Sequence, residues 1–196
     1  MFYEQTFREN YHSNCTIRKW KTTLANYLLD AFPNLEFSVS ATTRSPRPGE
    51  IEGKNYHFVS HEDFQQLISN HELIEYQEVY EGCFYGTLKS ELRKIWIENK
   101  VALFDIDVKG AYKMEQEEYA NVLSIYIKAS SLEVLRERLI KRGTETNETI
   151  NKRISKAKDE LEFSKYFDYV ITNDNLDLAK KMLYVLVEDF MNRPIY

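Results

Sequence analysis

Only two cysteines occur, Cys15 and Cys83, in no paired spacing and with no histidine pattern beside them. That excludes a disulfide framework and a zinc site of the usual ligand spacing, and leaves free cytosolic thiols as the reading. No run of about 18 apolar residues appears. The opening MFYEQTFRENYHSNCTIRKW holds no apolar stretch flanked by positive charge. Neither a membrane span nor a secretory leader is therefore expected, and the chain reads as soluble and cytoplasmic. Positive charge is not in excess: 26 Lys and Arg face 31 Asp and Glu, for a net charge of -5. No global basic field argues for nucleic acid, although local clusters can still bind phosphate. Glycine is scarce as well, with six in 196 residues and none before Gly49. At this length one sizeable core is expected, since domains usually span about 100 to 200 residues.

The glycine gap matters at IRKWKTTLANYLL, residues 17–29. From Lys21 onward this reads as the end of a phosphate-binding loop running into a helix: a lysine, two threonines, then apolar residues at helical spacing. Such a loop holds phosphate on successive backbone N–H groups, and only glycine lets the backbone come close enough. The places before Lys21 hold Cys15, Thr16, Ile17, Arg18, Lys19 and Trp20. That segment cannot wrap a phosphate in this manner. The preceding FRENYHSN is too polar for the buried strand that fills the middle of a parallel sheet. On the sequence, both the loop and the first strand are missing.

Beyond this region VALFDIDV, VLSIYIKA and YVITND are short β-rich runs, each followed by a segment of helical periodicity. Alternation of that kind predicts a parallel sheet covered on both faces. Strand-like stretches between residues 34 and 87 interrupt the rhythm and predict a small, mostly β insertion with a site of its own. SPRPGEIEGK is a charged loop within it. The stretch from SLEVLRERLIKR to DELEFSKYF predicts two helices joined at RGTETN, with arginines at Arg136, Arg138, Arg142 and Arg153.

Four groups of residues carry candidate chemistry. In SATTRSPRPGEIEGKNY, Arg44 and Arg47 offer two guanidinium forks, with Ser40 and Tyr56 as flanking hydroxyls. Guanidinium matches phosphate oxygens bidentately, so the stretch is a phosphate clamp or else a solvated basic loop. In ELIEYQEVYEGCFYGT, Glu75 sits among apolar and aromatic residues and is followed by Tyr85, Gly86 and Thr87. A carboxylate so placed can accept two N–H bonds from a guanine edge, where adenine has no such pair, although edge-strand carboxylates are also common at surfaces. Asp105 and Asp107 end an apolar strand and are expected on one face of it, where an acidic group can hold magnesium directly or through water. Arg138 and Arg142 share a helix face by their spacing and could neutralise a phosphoryl group in transfer.

Together FSVSATTRSPRPGE, GKNYHFVS, IEYQEVYEGCFYGT, FDIDVKGA, RGTET with INKRI, and VITND resemble the guanylate kinases, which move the γ-phosphate of ATP to GMP. The resemblance runs from Lys21 to the C-terminus. It implies a single α/β domain over residues 1–196, with a P-loop nucleoside-monophosphate-kinase-like parallel sheet flanked by helices. It also implies an inserted GMP-binding subdomain at 34–88 and a helical lid at 136–158. By resemblance Ser40, Arg44, Arg47, Tyr56 and Tyr85 hold the GMP phosphate, and Glu75, Thr87 and Asp107 read its guanine. Arg138, Arg142 and Arg153 form the lid over ATP and act in catalysis with Lys21. Asn173 lies near the adenine, and Thr22 serves ATP and, with Asp105, magnesium. Lys109 stands where the family usually has Gln. ATP and magnesium are the implied cosubstrate and metal. The partners are then small molecules, with no nucleic acid and no membrane, and the chain acts as a monomer or homodimer.

The family carries an apolar strand and a loop such as A-P-S-G-x-G-K-T where this chain departs from it. A reading-frame shift accounts for the departure. Trp20 has one codon, and the next codon begins with A, so a shift of one nucleotide forces glycine at that place. The same shift permits Gly at Arg18, Ser at Ile17, Pro at Thr16 and Ala at Cys15, with an apolar strand upstream. On this reading residues 1–20 are a frameshifted N-terminus, the frame resumes at Lys21, and the chain as written is an impaired enzyme. The alternatives are a non-catalytic module of the same family that binds GMP or a phosphorylated peptide, and an arginine-rich nucleic-acid binder. The net charge, and the lack of aromatic and basic interleaving on one face, disfavour the last of these.

Overall fold

Strand β7 (Val101–Phe104) is apolar along its whole length, as a strand covered on both faces must be. Its alternate side chains go to opposite cores: Leu103 to one, Ala102 and Phe104 to the other. The computed structural model describes residues 14–17, 21–116, 121–143 and 146–193. Around β7 a five-stranded parallel sheet forms from β1 (Asn14–Ile17), β2 (Leu35–Phe37), β8 (Val122–Lys128) and β9 (Tyr169–Thr172), in the order β2-β7-β1-β8-β9. The parallel sheet predicted from the alternating runs is therefore present, and all three runs named for it are strands.

Two helices cover one face of this sheet, α1 (Lys21–Ala31) and α7 (Leu176–Met191). Leu24 and Leu28 of α1 stand one turn apart, and Ala179, Leu183 and Val187 of α7 repeat every four residues, so each helix lays one apolar stripe on Leu103, Leu123, Ile125 and Ile127. The other face is covered by α3 (Lys89–Ile97) and α4 (Val108–Gln116), through Leu92, Ile95, Val108, Ala111 and Met114. A second sheet, β4-β3-β6-β5, is formed by β3 (Ala41–Thr42), β4 (His57–Phe58), β5 (Leu73–Tyr80) and β6 (Cys83–Leu88). Helix α2 (His61–Ser69) packs on it through Phe64, which is fully buried.

Helices α5 (Leu132–Arg142) and α6 (Asn147–Leu161) pack against each other, and a 3-10 turn at Glu162–Tyr166 follows. Ser131 and Thr146 accept the free amides at their N-termini, and Gly143 closes α5 with φ of +67°.

Three expectations change. The first strand is not missing: Asn14–Ile17 lies between β7 and β8 and pairs with both. The polar stretch FRENYHSN ahead of it, residues 7–14, lies outside the described residues except for Asn14. Three of the strand's four residues, Cys15, Thr16 and Ile17, are places that read as loop from the sequence. It ends at Ile17 and α1 starts at Lys21, so residues 18–20 alone join them. Next, Leu35–Phe37 belongs to the large sheet through β7, so the small sheet begins at Ala41 rather than at residue 34. Finally, the insertion contains a nine-residue helix, α2, whose cap Ser60 accepts from the Asp63 amide at 3.0 Å.

Ile125 is fully buried and is paired with Ile17 on one side and Tyr169 on the other. Ile125→Ala should cost about 2–5 kcal/mol in urea unfolding, the range for truncating a core aliphatic side chain. A cost within experimental error would mean that β1 and β9 do not close over β8.

Candidate functional site

The cleft between the two sheets is lined by Ser40, Arg44, Arg47, Tyr56, Glu75, Tyr85, Asp105, Asp107 and Arg153, all singled out from the sequence. At one end β5 turns Glu75 inward, where it keeps only 6% of its surface in contact with solvent. Thr87 stands opposite it in the β5–β6 register and is fully buried; its hydroxyl donates to Glu75 Oε1 at 2.7 Å. Burial pushes the Glu75 carboxyl up to about 7, helped by the Asp107 charge and opposed by the Thr87 hydrogen bond.

Asp105 and Asp107 lie beyond the last residue of β7, so strand alternation does not place them. Asp107 instead caps α4: its Oδ1 accepts the Lys109 amide at 3.1 Å, and its Oδ2 meets Lys156 Nζ at 2.8 Å. The Lys109 backbone thus helps to orient Asp107, whatever its side chain does.

At the other end the two threonines of SATTR tie their strand to β6. Thr42 Oγ1 donates to the Phe84 carbonyl at 2.9 Å and accepts the Arg44 amide at 3.2 Å. Thr43 Oγ1 donates to the Gly82 carbonyl and accepts the Phe84 amide. Arg44 is thereby aimed into the cleft, where its two terminal nitrogens meet the Glu50 carboxylate at 2.8 and 2.9 Å and its Nε donates to the Tyr85 hydroxyl at 3.2 Å. Its guanidinium also stands 5.2 Å from the Tyr56 ring centre. Glu50 raises the Arg44 pKa, and Arg44 in turn holds the Glu50 carboxyl below its ordinary range. The basic loop is therefore a preorganised pair with its own counter-charge, not an open cation cluster.

Helix α6 supplies the third wall. Arg153, Lys156 and Glu160 all line the cleft, at spacings of three and four that put them on one helix face. Arg138 lies elsewhere and donates to the carbonyls of Asn173 and Asp174 at the end of β9. It meets Asn173, which is buried, and is not among the residues that line the cleft. Lys21, Thr22 and Arg142 fall at the start of α1 and the end of α5, and their side chains lie outside the described residues.

Comparison with known proteins decides what this cleft belongs to. A family model described as guanylate kinase matches residues 16–190. The chain is similar to the guanylate kinase of Bacteroides fragilis, with 43% identity over 171 residues, 87% of this chain and 84% of that one. It is 39% identical to the guanylate kinase of Helicobacter pylori over 173 residues, covering 88% and 83% of the two chains. The crystal structure of guanylate kinase from Anaplasma phagocytophilum superimposes with a TM-score of 0.76 at 32% identity, covering 93% of this chain and 87% of that one. This chain belongs to the guanylate kinase family.

Within this guanylate kinase fold, sequence reasoning missed Glu50, Lys156 and Glu160. Glu50 stood in the charged loop, three residues beyond Arg47, as a ready counter-charge. The α6 residues carried a legible signal, because Arg153 was already in view and the helix face it defines continues through Lys156 and Glu160.

The raised Glu75 carboxyl has a consequence for stability. Between its ordinary 4.5 and about 7, the folded protein keeps a proton that the unfolded chain releases. Its contribution is therefore fully present below about pH 4.5, falls as pH rises to about 7, and is flat above. Glu75→Gln should remove that slope and gain up to about 3 kcal/mol relative to the parent at pH 8, with little gain near pH 4.5. Urea melts of the two proteins across this range check it, and a constant difference would place Glu75 in water.

Proposed function

We propose that the protein binds GMP in this cleft and belongs, by activity, with the enzymes that transfer the γ-phosphate of ATP to GMP, giving GDP and ADP. The observation that carries the reading is one cleft with the buried Glu75–Thr87 pair at one end and Arg44, Arg47, Tyr56 and Tyr85 at the other. Guanine presents adjacent N–H donors on one edge, and the ionised Glu75, with Asp107 beside it, supplies acceptors for them. The phosphate of GMP then meets the arginines and tyrosines. In the reaction a GMP phosphate oxygen attacks the γ-phosphorus. The new P–O bond forms as the bond to the bridging oxygen breaks, and that electron pair leaves with ADP.

Such a transfer depends on positioning and on cations around the moving group. Arg153 on the cleft wall, Arg138 and Arg142 on α5, and Lys21 at the start of α1 are those cations on this reading. Asn173, beside Arg138, lies toward the adenine. Magnesium takes one or two protein oxygens and fills its shell with water and phosphate, so Asp105 and the Thr22 hydroxyl are a fitting donor set. The ion would neutralise charge on the ATP phosphates. Both substrates are small molecules, and no nucleic acid or membrane enters the reading; no helix among the described residues is long and apolar enough to cross a membrane. The chain acts as a cytoplasmic monomer or homodimer.

Turnover by the chain as written is expected to be poor. Cys15, Thr16 and Ile17 are used as strand, and no glycine stands between them and Lys21 to bring amides onto a phosphate. The frameshift reading supplies the missing loop, with an apolar strand ahead of it. Replacing residues 1–20 with the shifted-frame sequence, so that Ala-Pro-Ser-Gly-Asn-Gly precedes Lys21, should raise ATP-dependent GMP phosphorylation by about 10²-fold or more, the scale of losing preorganised donors. A coupled assay of the two proteins side by side decides. Comparable activity in both would mean that residues 15–20 hold ATP in another way. In the restored protein Arg142→Ala should lower kcat by roughly 10²-fold with little change in the KM for GMP, because it meets charge that develops only in the transition state. A change confined to that KM would put Arg142 at the wrong substrate. A module for phosphorylated peptides has no use for a buried Glu75, and GMP binding without peptide binding separates the two.

A further inference from the structure

Gly110, the third residue of α4, has no conformational need to be glycine. It lies inside a helix and is not among the residues with positive φ. Glycine there costs about 1 kcal/mol relative to alanine. Space supplies the reason. A Cβ at this position would stand 2.8 Å from Glu75 Cδ, closer still to Oε2, and 3.5 Å from Cγ. Those three atoms are its nearest neighbours, and all belong to the far end of one side chain.

We infer that Gly110 is a positioning residue for base recognition: the missing side chain leaves the seat in which the Glu75 carboxylate faces the bound purine. The inference rests on the reading of the cleft as a GMP site. Glu75 is gripped from the other side by Thr87 at 2.7 Å, so the carboxylate is seated between β6 and α4. A methyl group on α4 cannot displace backbone there; it displaces the carboxylate. Hydrogen bonds weaken steeply once donor and acceptor leave the range of about 2.7–3.2 Å. The fold can therefore absorb an alanine, while the acceptors for the guanine N–H groups cannot stay in place. The helix itself gains from the exchange. Loss of recognition without loss of stability is the signature that separates this role from a packing role.

The test is calorimetric titration with GMP and with AMP, together with thermal melts, on the parent, Gly110→Ala, Glu75→Ala and the double variant. Gly110→Ala should keep or raise the melting temperature and weaken GMP by about tenfold or more, the scale of losing a hydrogen bond to a charged group. Its preference for GMP over AMP should fall in step. In the Glu75→Ala background the same exchange should alter GMP affinity by less than about twofold, since the displaced group is gone. Parent-like GMP binding by Gly110→Ala, with binding lost in Glu75→Ala, overturns the inference and leaves the GMP site standing. No loss in either variant, or no GMP binding by the parent, removes the GMP reading and the inference with it. If Gly110→Ala fails to fold, the role is one of packing and the inference is overturned, whether or not the double variant refolds.

Discussion

Among the described strands, β1 joins the two halves of the large sheet. Strands β7 and β8 do not pair with each other; each pairs with the four residues Asn14–Ile17 between them. On one side of that strand stands β7, which leads into Asp105, Asp107 and the α4 glycine that seats Glu75. On the other stand β8 and β9, which lead to Asn173 and the carbonyls that hold Arg138. A parallel strand in this position contributes two ladders of backbone hydrogen bonds, and these do not depend on which side chains it carries. The strands that lead to the two sides of the site are thus joined through the backbone of β1. The loop that follows does depend on residue type, because wrapping a phosphate needs residues without Cβ.

Charge inside the cleft is arranged as matched pairs before any ligand arrives. Arg44 has Glu50, and Lys156 has Asp107. Glu75 has a hydroxyl partner and little solvent instead, and its carboxyl rises accordingly. Opposite charges at short range hold long side chains in place, whereas Glu75, bonded to a hydroxyl rather than to a cation, bears the desolvation. Helix α6 joins this arrangement through Lys156, whose ammonium also lies 5.3 Å from the Tyr80 ring centre. The helical arm is thus tied by charge to the base end of the cleft through Asp107 and to the edge of the small sheet.

Much of the site was legible because chemistry forces residue type. Two guanidinium groups around a proline, a carboxylate among apolar residues and acidic groups after a buried strand each point to an oxygen or N–H partner, and Arg44, Glu75, Asp105 and Asp107 meet in one cleft. Helix α2 carried a signal that the sequence reading did not use: Phe64, Leu67 and Ile68 recur at helical spacing and pack together, and Ser60 before Glu62 and Asp63 caps the helix. The first strand was missed for a different reason: the polarity reading fell on residues 7–14, of which 7–13 lie outside the described residues, while the strand is formed by Asn14 and three residues that read as loop from the sequence.

By itself the sequence determined the alternation of strands and helices from Val101 onward, the residue types of the cleft and the absence of glycine before Lys21, because each follows from periodicity, chemistry or steric need within a few residues. Tertiary structure alone decided that Lys156 reaches Asp107 across 49 positions of chain and that Gly110 makes room for Glu75. Those are contacts between segments far apart in the chain. No local pattern encodes them, since what each requires is a space or a charge left by another element once the sheets have closed.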